Sequence, residues 1–130
     1  MAWGGLIFSA GSVRSASDLA HNYQMPSLGS AEFVRDRISE LFPQHQHEIG
    51  MSKIADKNCW IELSYDSCSM VSSIGVRTNG NAWALGAVLD VSHNLGAKLY
   101  DNQNGDFVNS IEDSTMDDYQ RWRDSFENAG

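Results

Sequence analysis

Apolar positions in this chain recur in two rhythms. From Cys59 to Tyr65 they alternate, with Cys59, Ile61, Leu63 and Tyr65 on one side and Trp60, Glu62 and Ser64 on the other. A period of two belongs to a half-buried strand. Between Ser30 and Phe42 the spacing changes. Val34, Ile38, Leu41 and Phe42 form one stripe with Phe33 beside them, and Glu32, Asp36, Arg37 and Glu40 cover the other side. That is the rhythm of an amphipathic helix, with Ser30 as its N-cap and Pro43 as its stop.

The remaining elements follow from shorter signals. Gly5 to Ser9 is an apolar run ended by Ala10-Gly11, which predicts a first strand. Residues 12–29 predict a loop with one helical turn near Asp18–Tyr23. Residues 44–58 are polar and poorly patterned, so they predict a connecting loop with room for a short strand at Gly50–Ile54. Asp66-Ser-Cys-Ser predicts a turn, and Met70 to Thr78 the second arm of a hairpin. Asn79-Gly80-Asn81 breaks that arm and is suited to cap a helix over Ala82–Leu95, apolar on most sides through Trp83, Leu85, Val88, Leu89, Val91 and Leu95. Gly96 is placed as its left-handed C-cap. Ala97 to Asp101 predicts a strand, and Asn104-Gly105 a tight turn into Asp106-Phe-Val-Asn. A last helix is expected from near Ser114, where Ser-x-x-Asp to Asp117 is similar to a capping box. Met116, Tyr119, Trp122 and Phe126 then share one side.

Strand, helix, hairpin, helix, strand is the βαββαβ order of a ferredoxin-like α+β sandwich. The expected architecture is an antiparallel sheet with two helices on one face plus a C-terminal helix, in a single domain over residues 1–130. At 130 residues and 42% hydrophobic composition the chain is large enough for its own core. Its N-terminal residues lack the basic region and the length of a signal peptide, and no apolar run reaches the roughly 18–20 residues of a membrane span. A cytoplasmic protein with reduced thiols is expected, because Cys59 and Cys68 fit neither a disulfide framework nor a zinc pattern.

Charge is unevenly placed. Residues 101–130 hold eight acids against Arg121 and Arg123, a net −6 of the chain's −8. Such a field repels nucleic acid and anionic membrane and attracts a basic protein. Asp113, Asp117 and Asp118 beside Tyr119, Trp122 and Phe126 make the partner-binding candidate, since aromatic anchors within a charged rim suit an interface. The favoured reading of the same aromatic stripe is that it docks the last helix onto the domain, and both hold if one edge stays exposed.

Other chemistry is thin. His45 and His47 alternate near Glu48 and would face one way in an extended segment, but no third ligand is identifiable, so no metal and no cofactor are expected. Asp90, Ser92 and His93 fail as a hydrolase set, because adjacent residues on a helix point apart and there is no nucleophile elbow. Cys59, in an alternating strand, reads as a buried inert thiol. Asp101-Asn-Gln-Asn-Gly-Asp has glycine out of register for a calcium loop. We therefore expect no enzymatic activity.

Between Glu32 and Val108 the order of motifs resembles a widespread family of small bacterial proteins. The carriers are Phe33-Val-Arg-Asp-Arg-Ile-Ser-Glu-Leu-Phe-Pro, Trp60-Ile-Glu-Leu, Val71-Ser-Ser-Ile-Gly-Val-Arg, and Leu99-Tyr-Asp-Asn-Gln-Asn-Gly-Asp-Phe-Val. Such ferredoxin-like proteins resemble immunity proteins of polymorphic toxin systems. The resemblance implies a non-enzymatic inhibitor that binds a cognate toxin. The alternative is a ferredoxin-like regulatory domain binding a small molecule. The tail after Ser110 lies outside the resemblance.

Overall fold

The computed structural model describes residues 3–56, 59–67, 70–80, 82–109 and Thr115. The chain enters as β1 (Trp3–Phe8), and a loop with a 3-10 turn at Ala16–Asp18 leads to β2 (Gly29–Ser30) and helix α1 (Ala31–Leu41). A hairpin of β3 (Gln46–Glu48) and β4 (Met51–Asp56) follows, then β5 (Cys59–Ser64), β6 (Met70–Val71) and β7 (Ser73–Thr78). Helix α2 (Ala82–Asn94) precedes a second hairpin, β8 (Lys98–Asp101) and β9 (Asp106–Val108).

These form an α+β fold. Seven strands make one sheet in the order β3-β4-β5-β7-β1-β8-β9, with every neighbouring pair antiparallel. β2 and β6 form a separate two-stranded sheet. α1 and α2 bury Val34, Ile38, Leu85, Val88 and Val91 in one core with the inward strand residues Trp3, Ile7, Ile61, Leu63, Ile74, Val76 and Leu99. The alternation read in 59–65 is the reason β5 fits there. Cys59, Ile61 and Leu63 are buried while Trp60 and Glu62 are half-buried on the far face.

Among the described residues, that far face is covered over β1, β8 and β9. Phe8, Ala10 and Phe107 form a second cluster there, overlaid by Val13, Ala16, Leu19, Tyr23 and Met25 from the loop after β1. The loop is pinned at several points, the Lys98 ammonium donating to the Val13 carbonyl among them. Asp106 accepts from the Ala16 N–H at 2.8 Å, and the Tyr23 hydroxyl donates to the Ser9 carbonyl. The helical turn expected near Asp18–Tyr23 therefore forms earlier, at Ala16–Asp18, where the carboxylate can hold its first N–H.

α1 is capped as expected, Ser30 Oγ accepting from the Phe33 N–H at 3.1 Å. Phe33 itself leaves the stripe. It is 42% exposed, with the Arg37 guanidinium 5.0 Å from its ring centre. α2 ends as read, with Gly96 at φ +64°.

Three expectations are corrected. Residues 44–56 hold more than a connecting loop: the short strand expected at Gly50–Ile54 is β4, at Met51–Asp56, and β3 joins it as a hairpin that the pattern hides because β3 is wholly exposed and β4 buries Ser52. Met70 to Thr78 is not one strand. It breaks at Ser72, Val71 turns its side chain into the core, and the Val71 carbonyl accepts from the Leu28 N–H at 2.6 Å. The turn after β8 spans 102–105 rather than two residues, because Asp101 draws it inward by accepting from the Gln103 N–H at 2.9 Å. Asn79 turns back to accept from the Trp60 N–H at 2.8 Å. The expected C-terminal helix lies outside the described residues. Among the described residues no helix is long and apolar enough to cross a membrane.

Candidate functional site

The most chemically varied part of the described surface is the sheet edge where α1 ends and β3 begins. Pro43 stops the helix, and the chain then descends from the helix layer to the sheet, placing His45 and His47 two residues apart. His45 Nδ1–H donates to the Phe42 carbonyl, and His45 Nε2 lies 3.0 Å from His47 Nδ1. The rings meet edge to face, 3.6 Å between centroids. His47 Nε2 is 3.3 Å from Ser39 Oγ, whose hydroxyl donates to the Arg35 carbonyl at 3.0 Å. Ser52 Oγ reaches both His47 Nδ1, at 3.2 Å, and the Tyr65 hydroxyl, at 3.1 Å. The chain of contacts ties α1 to β3, β4 and the end of β5.

Proton positions follow from the acceptors. A carbonyl only accepts, so His45 Nδ1 carries a proton; Ser39 spends its own on Arg35, so His47 Nε2 carries one as well. Desolvation first, then the His45 charge and Arg35, hold His47 below the usual imidazole range, against a smaller opposing pull from Asp36.

Beside this pair lies an open cleft of about 420 Å³. Its walls are Leu41 to His45 on one side, Ile54, Ala55 and Asp56 of β4 on another, and Trp83 of the first turn of α2. Trp83 is 39% exposed, so the helix read as apolar on most sides keeps one aromatic outside the core. A smaller cavity of about 240 Å³ flanks the same strand on the opposite face, against Trp60 and Glu62. A third, about 510 Å³ and lined by Ser64, Tyr65, Ser72 and Ser73, lies at the other end of β5.

The histidines were singled out by spacing, and the structure brings them together. Glu48 does not join them, being paired with Lys53 at 3.3 Å. Among the described residues no group of three His, Cys, Asp or Glu could hold a metal ion. Ser92 is buried and donates to the Leu89 carbonyl at 2.8 Å, and Cys59 is a buried thiol 3.7 Å from Thr78 Oγ1. The cleft and Trp83 were missed. Its walls are far apart in sequence, and the one local sign was a tryptophan beginning an otherwise apolar helix.

Asp113, Asp117, Asp118, Tyr119, Trp122 and Phe126 lie outside the described residues. Thr115, in their midst, is anchored to the domain. Its N–H and Oγ1–H both donate to Asp101 Oδ2, at 2.9 and 2.7 Å, and its Oγ1 accepts from Trp3 Nε1–H at 3.1 Å. Asp101 and Trp3 are both fully buried. Asp106 is likewise engaged. The Ala16 N–H, then the Phe107 N–H, hold its carboxyl below the usual carboxylate range; slight desolvation opposes them and Ser15 adds to them. Two of the eight C-terminal acids thus serve the fold itself. Comparisons of the chain with protein-family models, with curated proteins and with solved structures find no match.

Proposed function

We propose that this protein acts by binding rather than by catalysis. It is read as an immunity or inhibitor protein that neutralises a cognate bacterial toxin in the cytoplasm by direct contact, on a ferredoxin-like scaffold. The scaffold reading is supported by the central strands β5, β7, β1 and β8, adjacent in that order. α1 separates β1 from β5 in sequence, and α2 separates β7 from β8. β3, β4, β9 and the small sheet are then additions to it.

The observation that carries the binding reading is the charge of the C-terminal part. With Asp101 and Asp106 committed to internal hydrogen bonds, six acids remain after Val108 against Arg121 and Arg123. Concentrated charge of one sign speeds encounter with an opposite partner, up to roughly 10⁸–10⁹ M⁻¹s⁻¹ at low salt. A basic toxin domain is the partner this favours. Asp113, Asp117 and Asp118 would steer, and Tyr119, Trp122 and Phe126 would anchor.

The test is co-expression with the toxin candidate from the adjacent reading frame, followed by binding kinetics at two salt concentrations. Rescue of growth is expected. Replacing the three aspartates by asparagine should slow association and flatten its salt dependence while dissociation stays nearly constant. Trp122→Ala should speed dissociation. No rescue and no complex at micromolar concentration would end the immunity reading. A second reading, regulation by a small molecule, is favoured by the cleft of about 420 Å³, within the roughly 300–1,000 Å³ of ligand pockets. A saturable thermal shift with a cellular metabolite would support it.

A further inference from the structure

β4 outruns the strand that covers it. β3 pairs with Met51, Ser52 and Lys53, whereas β4 continues to Asp56. The register shows which main-chain groups face the open side. The Tyr65 N–H donates to the Gly50 carbonyl at 2.9 Å, and β4 runs antiparallel to β5 along its whole length. Main-chain groups alternate along such a ladder, so Ser52, Ile54 and Asp56 turn theirs toward β5, and Met51, Lys53 and Ala55 turn theirs away. Met51 and Lys53 meet β3. Ala55 has no main-chain partner on that side among the described residues. Gln44 would be opposite it, but the chain there is still descending from α1.

An outward N–H and C=O at a sheet edge form a template for another strand. Ala55 also lines the open 420 Å³ cleft. His45, in contact with His47, stands at the β3 end of that space. At the other end are Asp56, an exposed carboxylate, and Trp83, whose indole N–H makes no hydrogen bond among the described residues.

We infer that the edge at Ile54–Asp56 receives an extended basic segment of a partner protein, which pairs with Ala55 and lays a lysine or arginine side chain against Trp83 and Asp56. The strand pairing rests on the open edge itself. The basic character of the occupant rests on the reading of the protein as an acidic binder, and on the chain's net −8. Main-chain pairing supplies affinity in such complexes, and side-chain pockets supply selectivity. A cation over a tryptophan face with a carboxylate beside it is a suitable pocket for a basic residue.

The probe is Ac-(Thr-Arg)₃-NH₂, titrated into the ¹⁵N-labelled full chain and followed by NMR. Saturable shifts are expected at the Ala55 amide and the Trp83 indole, with exchange of the Ala55 N–H slowed about tenfold or more at saturation. Methylating every peptide nitrogen should weaken binding about fivefold or more, as should Ala55→Pro, which removes an outward donor at an edge where proline is tolerated. Asp56→Asn should weaken it about threefold. The methylated peptide leaves the protein intact, so the pairing is tested even if a variant folds poorly. Unshifted Ala55, equal binding by the methylated peptide, or equal binding by Ac-(Thr-Glu)₃-NH₂ would each overturn the inference. A chain dimer that buries Ala55 would overturn it too. If a basic protein binds tightly and leaves Ala55 and Trp83 unshifted, this site falls and the binding function stands. If the peptide binds as stated but no basic protein does, the site stands and the binding function falls.

Discussion

Asp101→Ala should cost this domain a large part of its stability, because one carboxylate closes two pieces of chain. Asp101 is fully buried at the end of β8. It accepts from the Gln103 N–H at 2.9 Å and, on its other oxygen, from the Thr115 N–H and Oγ1–H at 2.9 and 2.7 Å. Truncation leaves these donors without an acceptor, at about 1–3 kcal/mol for each that water cannot reach. Gln103 is exposed and Thr115 half-buried, so water recovers part of the loss. A net cost of about 3–4 kcal/mol remains, against a total of about 5–15 kcal/mol for a domain. The midpoint of thermal unfolding should fall by about 10 °C. Thr115→Val removes the same hydroxyl and also strands the Trp3 indole N–H, so it should cost about 2 kcal/mol. Urea unfolding of both single variants and the double variant measures their coupling. The shared hydrogen bond predicts that the double variant loses about 1–2 kcal/mol less than the two singles together. If the losses add to within about 0.5 kcal/mol, Asp101 and Thr115 are not joined as described.

Three further outcomes are expected. His47 favours its neutral form in the fold, so the unfolded chain takes up that proton more readily. Stability should be full above about pH 6.5 and decline as pH falls through that value; His47→Gln should flatten urea midpoints measured between pH 7.5 and 5, and an unchanged slope would refute the assignment. Asp106 has a depressed carboxyl pKa in the fold, so its contribution is present above about pH 3.9 and lost as pH falls through the lower folded value. Asp106→Asn should release the 3-10 turn at neutral pH, read as faster exchange of the Ala16 N–H with the sheet amides unchanged. Gly5→Ala should destabilise by about 1–3 kcal/mol, since a Cβ there would lie 2.7 Å from the Trp3 ring and 2.8 Å from the Tyr100 carbonyl; a neutral effect in urea unfolding would mean that β1 and β8 are not so closely apposed.

The elements that the chain announces by itself are those whose burial is one-sided and apolar. Cys59, Ile61 and Leu63 fall on one face of β5, Val34 and Ile38 on one face of α1, and each reads as a simple period. Local chemistry at element ends was equally legible, as with Ser30 capping α1 and Gly96 ending α2. These are short-range effects, decided by a residue and its near neighbours in sequence. β3, and with it the hairpin it makes with β4, was invisible for the opposite reason. β3 buries nothing, and one of the two buried positions in β4 belongs to Ser52, a polar residue made tolerable by His47 and Tyr65, which only the folded sheet supplies.

The same division holds for the site. The spacing of His45 and His47 indicated that two rings could share a side, but not that Phe42, Ser39 and Ser52 would supply their hydrogen-bond partners. The cleft was undecidable from the chain, because Leu41–His45, Ile54–Asp56 and Trp83 become neighbours only through the sheet and the packing of α1 beside α2. Charge shows the limit most plainly. The sequence by itself determines eight acids among the last thirty residues, whereas tertiary structure alone decides that Asp101 is turned inward to hold Thr115 and that Asp106 is bound to Ala16. A formal charge is a property of composition. Whether it faces a partner or a backbone amide depends on which distant N–H groups the fold carries to it.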